Sequence, residues 1–342
     1  MTHHKFIPSG LGFWLAFEKA VDPGNKALDL QVVIDRCHVA GISWIAPRAG
    51  AGGANDAAFD EKSNGAYLAA GLLVYPWIFP YKATEARVVS GFKRYFVAGA
   101  HGCIINAEFE YQPATAAEAR GLVAAIRTAW TEAQSERLQR GLDVVADEPF
   151  IAHAPPDYLG AGIGHALSDE LVALDEVCDA IMPQTYAWEH DDRGHVFHVD
   201  RVMAGYAKRK LYADKVWPVG CTYRPKQRGR KPTPAMANEG QRVADDVGAF
   251  LDNAYVRTSR APSLYSLDAI SWINGKDDCV MALLAMRAAL KIDAPPDTQP
   301  DTAEGRRKSS QKITAVGAAT PLRAGEGEHE VEPMEIEFDD KE

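Results

Sequence analysis

Between Gly102 and Tyr111 the chain reads Gly-Cys-Ile-Ile-Asn-Ala-Glu-Phe-Glu-Tyr, an apolar run that turns polar at every second position. Side chains alternate between the faces of an extended strand, so Asn106, Glu108 and Glu110 are expected to share one face. Three polar groups there are costly unless they are hydrogen-bonded or used. Two carboxylates this close repel, which raises the pKa of one and keeps it protonated near neutral pH, as a general acid requires. The chemistry on offer is acid–base work between paired carboxylates. The competing reading is an ion-paired cluster, with Arg48 as its cation, that merely plugs the end of the fold.

Such residues need a scaffold, and the rest of the chain repeats one. Short apolar runs stand at 12–17, 42–47, 72–79, 102–108, 150–153, 180–186, 216–222 and 263–270. Helical patterns follow at 28–39, 66–70, 84–97, 115–139, 168–178, 199–212, 238–255 and 277–290. Strict strand–helix alternation over this length predicts an α/β fold, a single (β/α)8 barrel spanning residues 1–292. The strands show little polar alternation, as expected when both faces are buried. The rival is a doubly wound open sheet, which commonly carries a Gly-rich phosphate loop after its first strand. Here that strand runs into Phe17-Glu18-Lys19. Gly-Ala-Gly-Gly at 50–53 lacks dinucleotide or P-loop spacing and is expected to be a flexible loop.

Barrel enzymes draw their working residues from the C-terminal ends of the strands. Read in order, those ends supply Glu18, Arg48, Trp77, then Glu108, Glu110 and Tyr111, then His153. Gln184, Tyr186, Trp188 and Glu189 follow, then Tyr223, and last Asp268 and Trp272. Aromatic faces stack on the apolar face of a sugar ring while carboxylates and amides bind its hydroxyls, so this composition points to a saccharide. Asn106, Glu108, Glu110 and Tyr186 are the expected catalytic group. Glu18, Arg48, Trp77, Tyr111, His153, Gln184, Trp188, Tyr223, Asp268 and Trp272 are the expected binding residues, with a hydrogen-bonded structural histidine as the equal alternative for His153.

Asn-Ala-Glu-Phe-Glu-Tyr (106–111) resembles the Asp-Ile-Asp-Trp-Glu-Tyr end of the glycoside hydrolase family 18 signature. The resemblance implies that Glu110 is the proton donor, that Glu108 orients a substrate acetamido group, and that Asn106 supports it. The sequence departs from that signature at Asn106, at the lengthened Glu108, and at Cys103 or Ile104 where the first aspartate would stand. Cys-Asp-Ala-Ile-Met-Pro-Gln-Thr-Tyr-Ala-Trp (178–188) is similar to the sixth strand of other glycosidase-like barrels. Leu-Tyr-Ser-Leu-Asp-Ala-Ile-Ser-Trp (264–272) is similar to their closing strand, where a Trp often floors the site. The implied activity is hydrolysis of a polysaccharide containing N-acetylhexosamine, such as peptidoglycan or chitin. If two carboxylates act from different strands, Asp268 and Glu18 are the candidate partners. The departures leave a second class open, a carbohydrate-binding or structural barrel without catalysis. A third is a metal-dependent hydrolase using Glu18, Glu108 and His153.

Composition narrows the field. Of 342 residues 46% are hydrophobic and 25% charged, ordinary for a globular chain. The net charge of −10 is uneven: residues 293–342 hold 13 acidic and 6 basic side chains, leaving −3 on the body. A nearly neutral body argues against binding nucleic acid through counterion release. The tail is too poor in apolar residues to order itself and is expected to be disordered, either solubilising or an acidic docking peptide for a protein partner. Five dispersed cysteines read as free thiols in a reducing compartment. His195 and His198, in a stretch expected to be a polar loop, have spacing that permits a metal, but no orienting partner is evident, and no metal or cofactor is expected. The run Arg-Pro-Lys-Gln-Arg-Gly-Arg-Lys-Pro (224–232) would sit at the mouth, either as a plain solvated loop or to attract an anionic polymer or carboxylated glycan. No Gly-x-Ser-x-Gly elbow supports serine hydrolysis. Neither a membrane span nor a secretory signal is expected, which places the chain in the cytoplasm as synthesised, with lysis or a virion as routes to an external polymer.

Overall fold

The computed structural model describes residues 5–15, 30–51, 61–108, 111, 114–155, 169–185, 195–208, 214–222, 239–265 and 278–290. The strands are β1 (Leu11–Trp14), β2 (Ile42–Ala46), β3 (Arg48–Ala51), β4 (Leu73–Val74), β5 (Trp77–Phe79), β6 (Gly102–Ile105), β7 (Phe150–His153), β8 (Ala180–Ile181), β9 (Val219–Cys221) and β10 (Ser263–Tyr265). Between them run α1 (Leu30–Val39), α2 (Glu61–Ala69), α3 (Glu85–Val97), α4 (Ala116–Gln139), α5 (Asp169–Val177), α6 (His195–Lys208), α7 (Glu239–Asp252), α8 (Ala254–Thr258) and α9 (Asp278–Ala289).

Proline explains why ten strands make eight staves. Pro47 separates β2 from β3 and Pro76 lies between β4 and β5, and proline has no N–H to give a ladder. The halves stay in line: β2 pairs with β4 and β3 with β5, and Trp77 N–H donates to the Pro47 carbonyl at 2.9 Å. Every pairing is parallel. One sheet runs β4-β2-β1-β10-β9 and the other β3-β5-β6-β7-β8. Bridges Ile181↔Val216 and Gln184↔Val219 join the β8 stave to the β9 stave, which closes the ring. This is the (β/α)8 barrel.

Alternation sorts the side chains into two cores. Trp14, Trp44, Ala46, Tyr75, Trp77, Ile104, Phe150, Ala152, Ala180, Met182, Trp217 and Val219 fill the interior. Their neighbours in sequence, including Phe13, Ile45, Ile78, Cys103, Ile105, Ile151 and Ile181, face the helices. Large rings on some staves are accommodated by small residues on others. Phe150 stacks on Trp217 with centroids 5.4 Å apart, and Tyr75 meets Phe150 edge-on. Gly12 faces inward beside Trp44, and a Cβ there would overlap the indole. In the outer layer α3 buries Val88, Phe92, Tyr95 and Phe96, a stripe at helical spacing, with Phe96 edge-on to Trp130 of α4 at 5.0 Å. Thr115 and Glu118 close a capping box at the start of α4.

Several expectations are corrected. Gly50 and Ala51 belong to β3, so the Gly-rich stretch begins as strand. The second helix starts at Glu61, well before residue 66. His195 and His198 lie in α6, because the 3- and 4-residue spacing of its apolar residues begins earlier than the polar neighbours suggest. The helix expected over 238–255 breaks at Asn253, whose side chain accepts the Tyr255 N–H and starts α8. The described residues all belong to one compact unit that ends at Pro295. The 293–342 tail, with its expected disorder, lies outside the described residues. Among the described residues no helix is long and apolar enough to cross a membrane.

Candidate functional site

Beyond Ile105 the β6 stave keeps its alternation after ladder pairing ends. Asn106 N–H still donates to the Ile78 carbonyl at 2.9 Å, and the Ala154 N–H to that of Ile105 at 2.8 Å. Ile104 lies in the interior core while Cys103, Ile105 and Ala107 face the helices, so Asn106 and Glu108 project into the mouth. Gln184 arrives from the β8 stave by the same parity, two residues past the inward Met182. Its backbone is clamped: Gln184 N–H donates to the Pro155 carbonyl at 3.1 Å, and Thr185 N–H and Oγ1 both donate to the Val219 carbonyl.

These three side chains form one network. Gln184 Nε2 donates to Asn106 Oδ1 and to Glu108 Oε1, both at 2.8 Å. Asn106 Nδ2 donates to the same Glu108 oxygen at 3.0 Å. Two amide donors converging on one oxygen fix the carboxylate's orientation, as a preorganised site requires. Asn106 is buried and Glu108 and Gln184 are half-buried, so the carboxylate reaches solvent from a fixed position.

Inside the barrel an aromatic cluster spans three staves. Trp14 and Trp77 lie 5.8 Å apart, and Tyr265 meets both edge-on at 6.5 and 6.3 Å. Both indoles are anchored: Trp14 Nε1 donates to Ser263 Oγ at 3.0 Å and Trp77 Nε1 to the Leu15 carbonyl at 2.8 Å. Arg48 places its guanidinium over the Trp77 ring, 5.5 Å from the centroid. Among the described residues no ion pair joins it to a carboxylate. Phe79 is half-buried on the same inward face of the β5 stave. Trp14, Phe79 and Tyr265 are residues that reading the sequence missed. Their signal was parity along the first, third and eighth staves.

Two expected mouth residues point elsewhere. His153 follows Ala152, which faces inward, so its own side chain faces the helices; its Nδ1 lies 2.9 Å from Asp175 Oδ1 of α5, both groups buried. Tyr111 is fully buried in the outer core. Burial, followed by the charges of Glu85, Glu118 and Glu170, raises its phenol well above the usual range. The metal-dependent alternative loses its geometry here, since His153 and Glu108 occupy opposite faces of the barrel wall. Among the described residues no cluster of three His, Cys, Asp or Glu side chains could hold a metal. Glu18, Glu110, Tyr186, Trp188, Glu189, Tyr223, Asp268, Trp272 and the 224–232 run lie outside the described residues.

No protein-family model and no curated protein matches the sequence. Solved structures do match. The C-terminal domain of a Desulfitobacterium hafniense protein assigned as a chitinase aligns with a TM-score of 0.51 and 12% identity, over 82% of this chain and 99% of that one. The Bacillus megaterium spore cortex-lytic enzyme SleL aligns at 0.47 and 10%, over 80% and 75%. An Amycolatopsis mediterranei endo-β-1,3-glucanase of family GH128, solved with laminaritriose, aligns at 0.45 and 11%, over 82% and 99%. The likeness to the Desulfitobacterium domain is one of fold, the TIM barrel. At these identities the chemistry rests on this chain's own residues.

Proposed function

We propose that this barrel hydrolyses glycosidic bonds in a polysaccharide, with N-acetylhexosamine polymers such as peptidoglycan or chitin as the leading substrate class. The observation that carries the reading is the Glu108 carboxylate, held in the mouth by Asn106 and Gln184. Glu110 protonates the glycosidic oxygen. Glu108 stabilises the positive charge that develops at the anomeric carbon, or orients a 2-acetamido group that attacks it. Asn106 and Gln184 hold Glu108 in place, and Tyr186 assists. Preorganised groups of this kind act by stabilising charge as it forms.

The test is release of reducing ends from chitin, peptidoglycan and β-glucan. Glu110→Gln keeps the side chain's shape but has no proton to give, and a lost general acid typically costs about 10²–10⁴-fold in rate. A folded Glu110→Gln variant with full activity contradicts the assignment. A protein that binds saccharide without turnover, unaffected by Glu110→Gln, supports the non-catalytic binding barrel instead.

A further inference from the structure

Arg48 is the one described cation whose side chain enters the barrel mouth, and the fold holds it there in an unusual state. It lies on the inward face of β3, in line with Trp44 and Ala46, and is half-buried. Its guanidinium rests over Trp77, a ring whose own N–H is already committed to the Leu15 carbonyl. No carboxylate among the described residues lies within ion-pair distance of it. A cation–π contact supplies no oxygen or nitrogen acceptor, so the five guanidinium N–H donors are not matched by it. Those donors match a carboxylate in a two-pronged geometry that a neutral hydroxyl cannot reproduce. A partly desolvated cation is costly to maintain in a protein that gains nothing from it.

The position fits a ligand. Arg48 pairs in register with Trp77, and Trp77 with Ile104. Arg48 therefore stands two staves across, about 9.5 Å, from the β6 stave, and Glu108 lies four residues beyond Ile104, about 13 Å further along. A group seated on Arg48 belongs to a sugar unit other than the one at Glu108.

Resting on the saccharide reading of the same mouth, we infer that the glycan carries a carboxylate on a unit adjacent to the one processed, and that Arg48 selects it. Uronic acids and carboxyethyl-ether sugars have the required group. The experiment is a calorimetric titration of the full chain with oligosaccharides containing glucuronic acid, galacturonic acid or N-acetylmuramic acid, each beside its carboxyl-reduced neutral counterpart. Sulfated oligosaccharides form a separate arm. At least one acid form binds about tenfold or more tighter than its reduced form, because a charge-assisted hydrogen bond is lost on reduction. Arg48→Gln removes that preference, so that the acid and reduced forms bind the variant with equal affinity, and Arg48→Lys retains part of it. Equal binding of acid and reduced forms, a preference that survives Arg48→Gln, or selection of sulfate over carboxylate overturns the inference and leaves the saccharide reading standing. Absence of binding by any saccharide, neutral or acidic, overturns both.

Discussion

The ends of the β6 and β7 staves lie side by side and carry polar residues of similar cost, yet the two groups are built for different purposes. On β6, Asn106 and Glu108 turn inward, join Gln184 from two staves away, and leave the carboxylate half-exposed. On β7, His153 turns outward, meets Asp175 at 2.9 Å, and is sealed between strand and helix. An inward polar group at a stave's C-terminal end meets whatever enters the mouth. An outward one can only hold a helix to the barrel. Parity alone separates function from support.

Substitutions should divide along that line. Asp175→Ala strands the His153 ring among apolar side chains, and the expected loss in chemical denaturation is about 3 kcal/mol with saccharide affinity unchanged. Gln184→Leu should do the reverse: stability falls by about 1 kcal/mol or less, while turnover drops because Glu108 loses a donor. Equal stability losses at both sites would erase the comparison.

A third polar group, at the other end of the barrel, sharpens it. His101 packs edge-on against Phe6 and near Tyr75, and burial, with the positive charge of Arg137 adding to it, lowers its pKa to about 4. Its Nδ1 accepts the Val74 N–H at 3.1 Å, a bond that protonation there would break. The unfolded chain, titrating near 6.5, takes up a proton the folded protein refuses. Stability is therefore full above about pH 6.5 and is lost as the pH falls toward about 4, by on the order of 3 kcal/mol. Urea midpoints from pH 7.5 to 4.5 should show this slope, and His101→Gln should flatten it.

Smaller effects come from the thiols and the tail. Cys37, Cys103, Cys178 and Cys221 are buried, and burial pushes Cys37 up to about 12, whereas Cys279 on α9 is half-exposed. Native alkylation should therefore modify Cys279 first and the others only on unfolding. Fast labelling of Cys37 would show that α1 opens. Removing residues 293–342 should leave the melting temperature within a degree or two, since that segment offers no apolar stripe to the barrel.

How much of this was legible in the sequence follows from the same physics. Strand–helix alternation gave the barrel, because buried parallel strands are apolar throughout and helices carry a 3.6-residue stripe. The Asn106–Glu108 face was legible because a two-residue period is strong evidence of a shared side. His153 was misplaced by its nearness to a strand end. Counting from Phe150, an inward ring, would have turned it outward. Tyr111 was misplaced by its nearness to a strand end and its aromatic ring, although an odd place after Cys103, Ile105 and Ala107 is an outward one. Trp14 and Tyr265 were passed over because their neighbours Leu15 and Leu264 make both staves look uniformly apolar. The Gln184–Glu108 contact spans 76 residues, and only the closed ring brings it about.

The central claim, that the inward cluster at the mouth meets a saccharide, is tested most directly by a crystal structure of the full chain soaked with a chito-oligosaccharide. The account predicts a sugar ring hydrogen-bonded to Glu108 and Gln184, with the chain extending along the cluster of Trp77 and Tyr265. A saccharide bound only elsewhere, for instance on the open surface of α4 lined by Thr131, Glu132 and Ser135, with the mouth empty, would contradict it.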